Sequence, residues 1–100
     1  GLTLAQKGQK LYGEKGCVAC HSTDGSPKVG PTWKGIYALK DHEMEGGLKV
    51  AVDENYLRES ILQPNAKVVK GFPQGVMPTF QGQLNEDQVN AIIEFIKSLK

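Results

Sequence analysis

The sequence predicts an all-α chain of three to four main helices, and three observations carry that expectation. Apolar residues recur at helical spacing near both ends and once in the middle, each time behind a residue suited to start a helix. The stretches between them are rich in glycine and proline, with one alternating run that suits a small β-hairpin over 39–52. A C-x-x-C-H motif at 17–21 follows the first helix, and nothing upstream of it reads as a strand.

That motif organises the rest. Cys17 and Cys20 are separated by two residues and His21 follows directly, which is the attachment signature of a c-type haem. The two thiols add across the two porphyrin vinyl groups as thioethers, and the adjacent histidine is held where its imidazole can ligate the iron. A thioredoxin-like C-x-x-C belongs after a strand in a βαβ unit, which is missing here. A zinc site needs further ligands, yet the chain has no other cysteine and one other histidine, His42. One haem c, covalently attached, is the expected cofactor.

One hundred residues suit a single domain over 1–100, near the lower end of what one hydrophobic core stabilises unaided. Only 39% of the residues are hydrophobic and 7% aromatic, so a buried porphyrin would serve stability as well as function. The net charge is +1, and two ionised propionates would bring it to about −1. That balance leaves no basic stripe for nucleic acid and no strong field to steer a partner. No apolar run reaches the length of a membrane span, and no signal peptide is present. Because c-type haem is attached on the oxidising side of the membrane, the precursor is expected to be exported. Either a leader has been removed or this is a piece of a longer chain.

The first helix is expected over 3–15. Thr3 caps it, and Leu4, Gly8, Leu11 and Tyr12 share one face. A glycine inside a helix costs about 1 kcal/mol relative to alanine, so Gly8 implies close approach of another helix. Gly13 and Gly16 end the helix and deliver the chain to Cys17. Residues 22–32 are turn-rich. There Pro31 is either a plain loop proline or the carbonyl that accepts from the second nitrogen of His21 and fixes its tautomer. Residues 33–37 suit one helical turn with a glycine exit, Trp33 being a haem-pocket wall or plain core.

Asp53 caps the middle helix, with Glu54 in its first turn, Leu57, Ile61 and Ser60 inward, and Pro64 at its close. Residues 64–83 carry three prolines and three glycines around Met77-Pro78, and a loop of that length is usually functional. The last helix spans 85–99. Asn85 and Gln88 make a capping box, and Val89, Ile92, Ile93, Ile96 and Leu99 make the stripe. Phe95 or Ile92 is expected to pack on Gly8.

A sixth iron ligand would close the other haem face. Met77 is the expected choice, flanked by Val76, Pro78 and Phe80, and a thioether raises the potential by favouring ferrous iron. The alternatives are His42, Met44 and the lysines. His42 and Met44 lie in a charged run, KDHEME, that reads as solvated surface. Trp33, Tyr37, Tyr56 and Arg58 are all candidate propionate donors.

Together these residues resemble class I cytochromes c. Gly8, Tyr12, the motif at 17–21, Gly30-Pro31, Met77-Pro78 and Phe95 carry the likeness over nearly the whole chain. It implies a cytochrome c fold, Gly8 meeting Phe95 at a helix crossing, Pro31 supporting His21, and His21 and Met77 as axial ligands. The run VDENYLRESILQPNAKVVKGF over 52–72, with MPTF at 77–80 and GQL at 82–84, further resembles the cytochrome c domain of subunit II of caa-type haem–copper oxidases. That likeness implies a membrane-anchored parent chain on the periplasmic or outer face, an oxidase copper domain as acceptor, and a quinol-oxidising complex or small electron carrier as donor. Such a domain is an electron carrier within a terminal oxidase. The alternatives are a free-standing periplasmic shuttle or the cytochrome subunit of another redox enzyme. A five-coordinate gas sensor or peroxidase would need Met77 to leave the iron free. For the carrier, Val18 and Ala19 should border an exposed haem edge with an apolar, weakly salt-dependent docking patch.

Overall fold

In the computed structural model, all residues are described except 27, 29, 73–81 and 100. Three α-helices, α1 (Leu4–Glu14), α2 (Glu54–Leu62) and α3 (Glu86–Ser98), carry the core. Two short 3-10 turns, Cys17–Ala19 and Ile36–Ala38, and a hairpin of β1 (His42–Glu43) with β2 (Lys49–Val50) fill the connections. The hairpin is antiparallel, pairing His42 with Val50 and Glu43 with Lys49. This is the expected all-α arrangement, with the small hairpin inside 39–52.

Local chemistry starts each helix. Thr3 Oγ1 accepts from the Gln6 amide while Gln6 Oε1 accepts from the Thr3 amide, a reciprocal box that the sequence reading credited to Thr3 alone. Asn85 and Gln88 make the same exchange at 2.8 and 2.9 Å ahead of α3, and Glu86 and Asp87 suit its positive end. Asp53 Oδ1 accepts from the Tyr56 amide at 2.8 Å to start α2.

The terminal helices cross at Gly8. A β-carbon there would lie 2.0 Å from the Ala91 carbonyl oxygen and 2.7 Å from Phe95 Cβ, so the backbones touch. The partners are Ala91 and Phe95, and Ile92 is buried elsewhere in the core at 1% exposure. Leu4, expected on the inner face, is exposed because it starts the helix beyond the crossing.

Tyr12, Trp33 and Phe95 pack around the crossing in tilted and edge-on pairs, with ring centroids 5.0–6.2 Å apart. Gly35 opens the second 3-10 turn, where an exit glycine was expected: its φ of +73° is the left-handed conformation that launches Ile36–Ala38. Its amide donates to the Leu99 carbonyl at 2.8 Å and ties that turn to the end of α3. Arg58 bridges α2 to α3 through Glu86 and Asn90, and Lys97 returns the tie through Glu54.

The largest departure from expectation is the charged run at 40–45. Met44 is 2% exposed and among the most completely buried side chains, while His42 is half-buried. Strand alternation explains it: Glu43 and Glu45 turn outward on either side of Met44.

Candidate functional site

The C-x-x-C-H motif folds as one tight turn. Gly16, at φ +79°, redirects the chain out of α1, and Cys17–Ala19 forms the 3-10 turn. The Cys20 and His21 amides both donate to the Cys17 carbonyl, at 3.1 and 2.9 Å. Two residues of spacer thus become one turn, with both thiols half-buried and free. Burial pushes the Cys17 thiol up, with its own backbone hydrogen bond pulling the other way.

The chain returns beside this turn over residues 30–33. Gly30 N–H donates to the Cys20 carbonyl and Trp33 N–H to the Ser22 carbonyl, each at 2.8 Å. Ser22, 3% exposed, staples the loop through the Ser26 carbonyl and the Thr32 hydroxyl. A β-carbon on Gly30 would meet the His21 ring, 2.7 Å from Cε1, so only glycine lets the strand pass.

Three neighbours orient His21. Its Nδ1 lies 2.7 Å from the Pro31 carbonyl oxygen. A carbonyl only accepts, so Nδ1 carries the proton and the Nε2 lone pair is left available. Trp33 stacks on the imidazole at 5.1 Å between centroids, and the Tyr12 hydroxyl donates to the His21 carbonyl. Burial lowers the His21 pKa, with the Pro31 contact partly opposing it, which favours the neutral ring. A neutral imidazole with a fixed tautomer is what a metal ligand requires. The two open readings of Pro31 thereby resolve in favour of the histidine support, and Trp33 is both core and pocket wall.

His21, Pro31 and Trp33 form one side of an open cleft. Leu57 and Ile61 of α2 line another side, and Val68, Val69 and Phe72 continue it. The cleft is mostly apolar, and a planar tetrapyrrole anchored at Cys17 and Cys20 suits both its lining and the donor set at its edge.

The other sequence-derived candidates separate cleanly. Tyr56 and Trp33 line the cleft. Arg58 is committed to Glu86 and Asn90, and Tyr37 sits under the Lys97 ammonium, 5.4 Å from its ring centroid. Met44, an alternative iron ligand, has its sulfur 3.9 Å from the Tyr56 hydroxyl inside the core. His42 Nε2 is buried with no hydrogen-bond partner. Val18 is 42% exposed beside Ala19, which is also exposed. Met77 lies outside the described residues. Tyr12 is the residue whose role the sequence reading missed. It was assigned to a packing face, and nothing in the sequence shows that its hydroxyl would meet the His21 backbone.

A family model described as cytochrome c matches residues 5–100. Cytochrome c2 iso-2 of Magnetospirillum molischianum is 31% identical over 91 residues, covering 84% of this chain and 91% of that protein. Cytochrome c-551 of Stutzerimonas stutzeri is 33% identical, covering 97% of this chain and 81% of its own length. Cytochrome c oxidase subunit 2 of Bacillus subtilis is 26% identical over 97% of this chain, which spans 27% of that subunit.

Proposed function

The chain belongs to the cytochrome c family, with haem c as its covalent cofactor and electron transfer as its activity, and from that premise we propose that it serves as the electron-entry domain of a cytochrome c oxidase. In this reading it takes single electrons from a quinol-oxidising complex or small carrier and passes them to the oxidase copper domain. The carrying observation is the imidazole of His21, oriented by the Pro31 carbonyl at the edge of an apolar cleft. The likeness of nearly the whole chain to a quarter of an oxidase subunit supports the choice of acceptor.

The bound haem supplies a one-electron change at iron, and this chain's residues set the conditions for it. Cys17 and Cys20 would hold the porphyrin by thioethers, and His21 Nε2 and Met77 would ligate its iron. The Pro31 carbonyl keeps the proton on Nδ1 and so leaves Nε2 to the iron. Trp33, Leu57 and Ile61 exclude water. A dry pocket with a soft second ligand favours the ferrous state. Val18 and Ala19 leave an apolar edge for a partner. The parent of such a domain is anchored at the periplasmic or outer face of the membrane. No helix among the described residues is itself long and apolar enough to cross one.

A free-standing shuttle is the second reading, favoured by relatives named cytochrome c2 and c-551 whose own lengths this chain covers by 81% or more. The parent gene separates the two: membrane spans and copper ligands upstream support the oxidase domain, and a secretory leader alone supports the shuttle. Optical spectra test the ligands. The ferric protein should show the weak red charge-transfer band of thioether ligation, and carbon monoxide should leave the ferrous spectrum unchanged. Met77→Ala should abolish that band and lower the reduction potential with the haem still attached. A high-spin spectrum that shifts with carbon monoxide would remove Met77 from the iron.

A further inference from the structure

Residues 43–45 are bonded on both edges. On one edge Glu43 pairs with Lys49, and the Met44 amide donates to the Leu48 carbonyl at 2.7 Å. On the other edge they meet the chain at 68–71. Glu45 N–H donates to the Val68 carbonyl at 2.7 Å, Lys70 N–H to the Glu43 carbonyl at 3.0 Å, and Met44 forms an antiparallel bridge with Val69. One side chain completes this ladder: Glu45 Oε1 accepts from the Gly71 amide at 2.8 Å. Gly71 has a φ of +88°, so its amide is turned by a conformation that strongly favours glycine, and the carboxylate is its partner there.

The ladder is pinned from below. Met44 is buried, and its sulfur meets the hydroxyl of Tyr56, which lines the cleft. The segment it holds contributes Val68, Val69 and Phe72 to the cleft wall. Phe72 stands five residues before Met77, a distance the chain can span by no more than about 18 Å. Whatever fixes 68–72 therefore limits where residue 77 can reach.

We propose that Glu45 is a positioning residue for the distal haem ligand. Its carboxylate holds the Gly71 amide and so anchors the chain just ahead of the segment that carries Met77. The inference rests on the reading of Met77 as that ligand. Without the anchor, the chain there frays more often, and the thioether yields more readily to an outside ligand. The stabilisation belongs to the hydrogen bond, so an amide acceptor at the same place retains it and a methyl group loses it.

Imidazole titration of the haem-loaded ferric protein tests this, read by loss of the thioether charge-transfer band. Glu45→Ala should raise the apparent imidazole affinity about fivefold, and Glu45→Gln should stay within about twofold of the unaltered protein. Helix unfolding followed by circular dichroism should change little in either, since Glu45 is exposed and outside the helical core. Unchanged imidazole affinity in Glu45→Ala overturns the inference. So does equal weakening in Glu45→Gln, or a gain in affinity that merely follows a lower helix unfolding midpoint. If the unaltered protein lacks the band, or Met77→Ala retains it, the assignment of Met77 fails and takes this inference with it.

Discussion

Replacing Gly8 by alanine puts a methyl carbon 2.0 Å from the Ala91 carbonyl oxygen, 2.6 Å from the Ala91 carbonyl carbon and 2.7 Å from Phe95 Cβ. Ordinary contact needs about 3.5 Å, so α1 and α3 must part by roughly 1.5 Å at their crossing. Two of the three obstructions are main-chain atoms, which no rotamer change can move. Overpacking of this kind costs about 1–3 kcal/mol, and a backbone obstruction belongs at the upper end. Alanine returns up to about 1 kcal/mol of helix propensity, leaving a net loss near 2 kcal/mol. For a domain of this size that lowers the melting temperature by about 8–16 °C. Gly13 is the internal control, being in the same helix with nothing within 4 Å of its would-be β-carbon. Gly13→Ala should stabilise by about 0.5–1 kcal/mol, through propensity alone. Thermal unfolding of the haem-loaded ferric protein at 222 nm reads both. A Gly8→Ala protein melting within about 3 °C of the unaltered one would refute the close crossing.

Two further outcomes follow from the caps and from a buried base. Asn85→Ala removes the side-chain half of the capping box before α3, leaving the residue 85 amide to donate to Gln88, and should cost about 1 kcal/mol in denaturant unfolding; no measurable loss would mean that packing alone defines that helix start. Burial lowers the His42 pKa below its ordinary 6.5, and its Nε2 is buried without a partner. Between the unfolded and folded values the unfolded chain binds more protons. Stability should therefore rise with pH through that window and level off above about 6.5. His42→Phe should flatten this rise. Stability that increases on acidification instead would reveal an anionic partner for Nε2.

Much of the chain was legible because its signals are local. The three helix starts rest on side chains that bond within three residues of themselves, so Thr3, Asp53 and Asn85 announce their helices in the sequence. The α3 stripe of Val89, Ile92, Ile93 and Ile96 is a period-3.6 pattern that any core would bury. The haem motif is equally local, since both thiols and the imidazole lie within one turn. Gly8 showed that something approaches α1 closely, because only a close approach accounts for a glycine in mid-helix.

Which atoms approach, and from where, is a tertiary matter. The sequence left Ile92 and Phe95 both open as partners of Gly8; the crossing angle of α1 on α3 selects Phe95 and the Ala91 backbone. Pro31 could support His21 or merely turn a loop until the return path over 30–33 placed its carbonyl 2.7 Å from Nδ1. Met44 shows the limit most plainly. A lone apolar residue among charges carries no periodic signal strong enough to mark burial, and only pairing on both edges of residues 43–45 turns its side chain into the core. Long-range backbone pairing leaves no trace in the residue types that make it, because every residue but proline offers the same amide and carbonyl. The haem motif was therefore determined by the sequence alone, while the support of His21 by Pro31 and the pairing of residues 68–71 with 43–45 were decided by the tertiary structure.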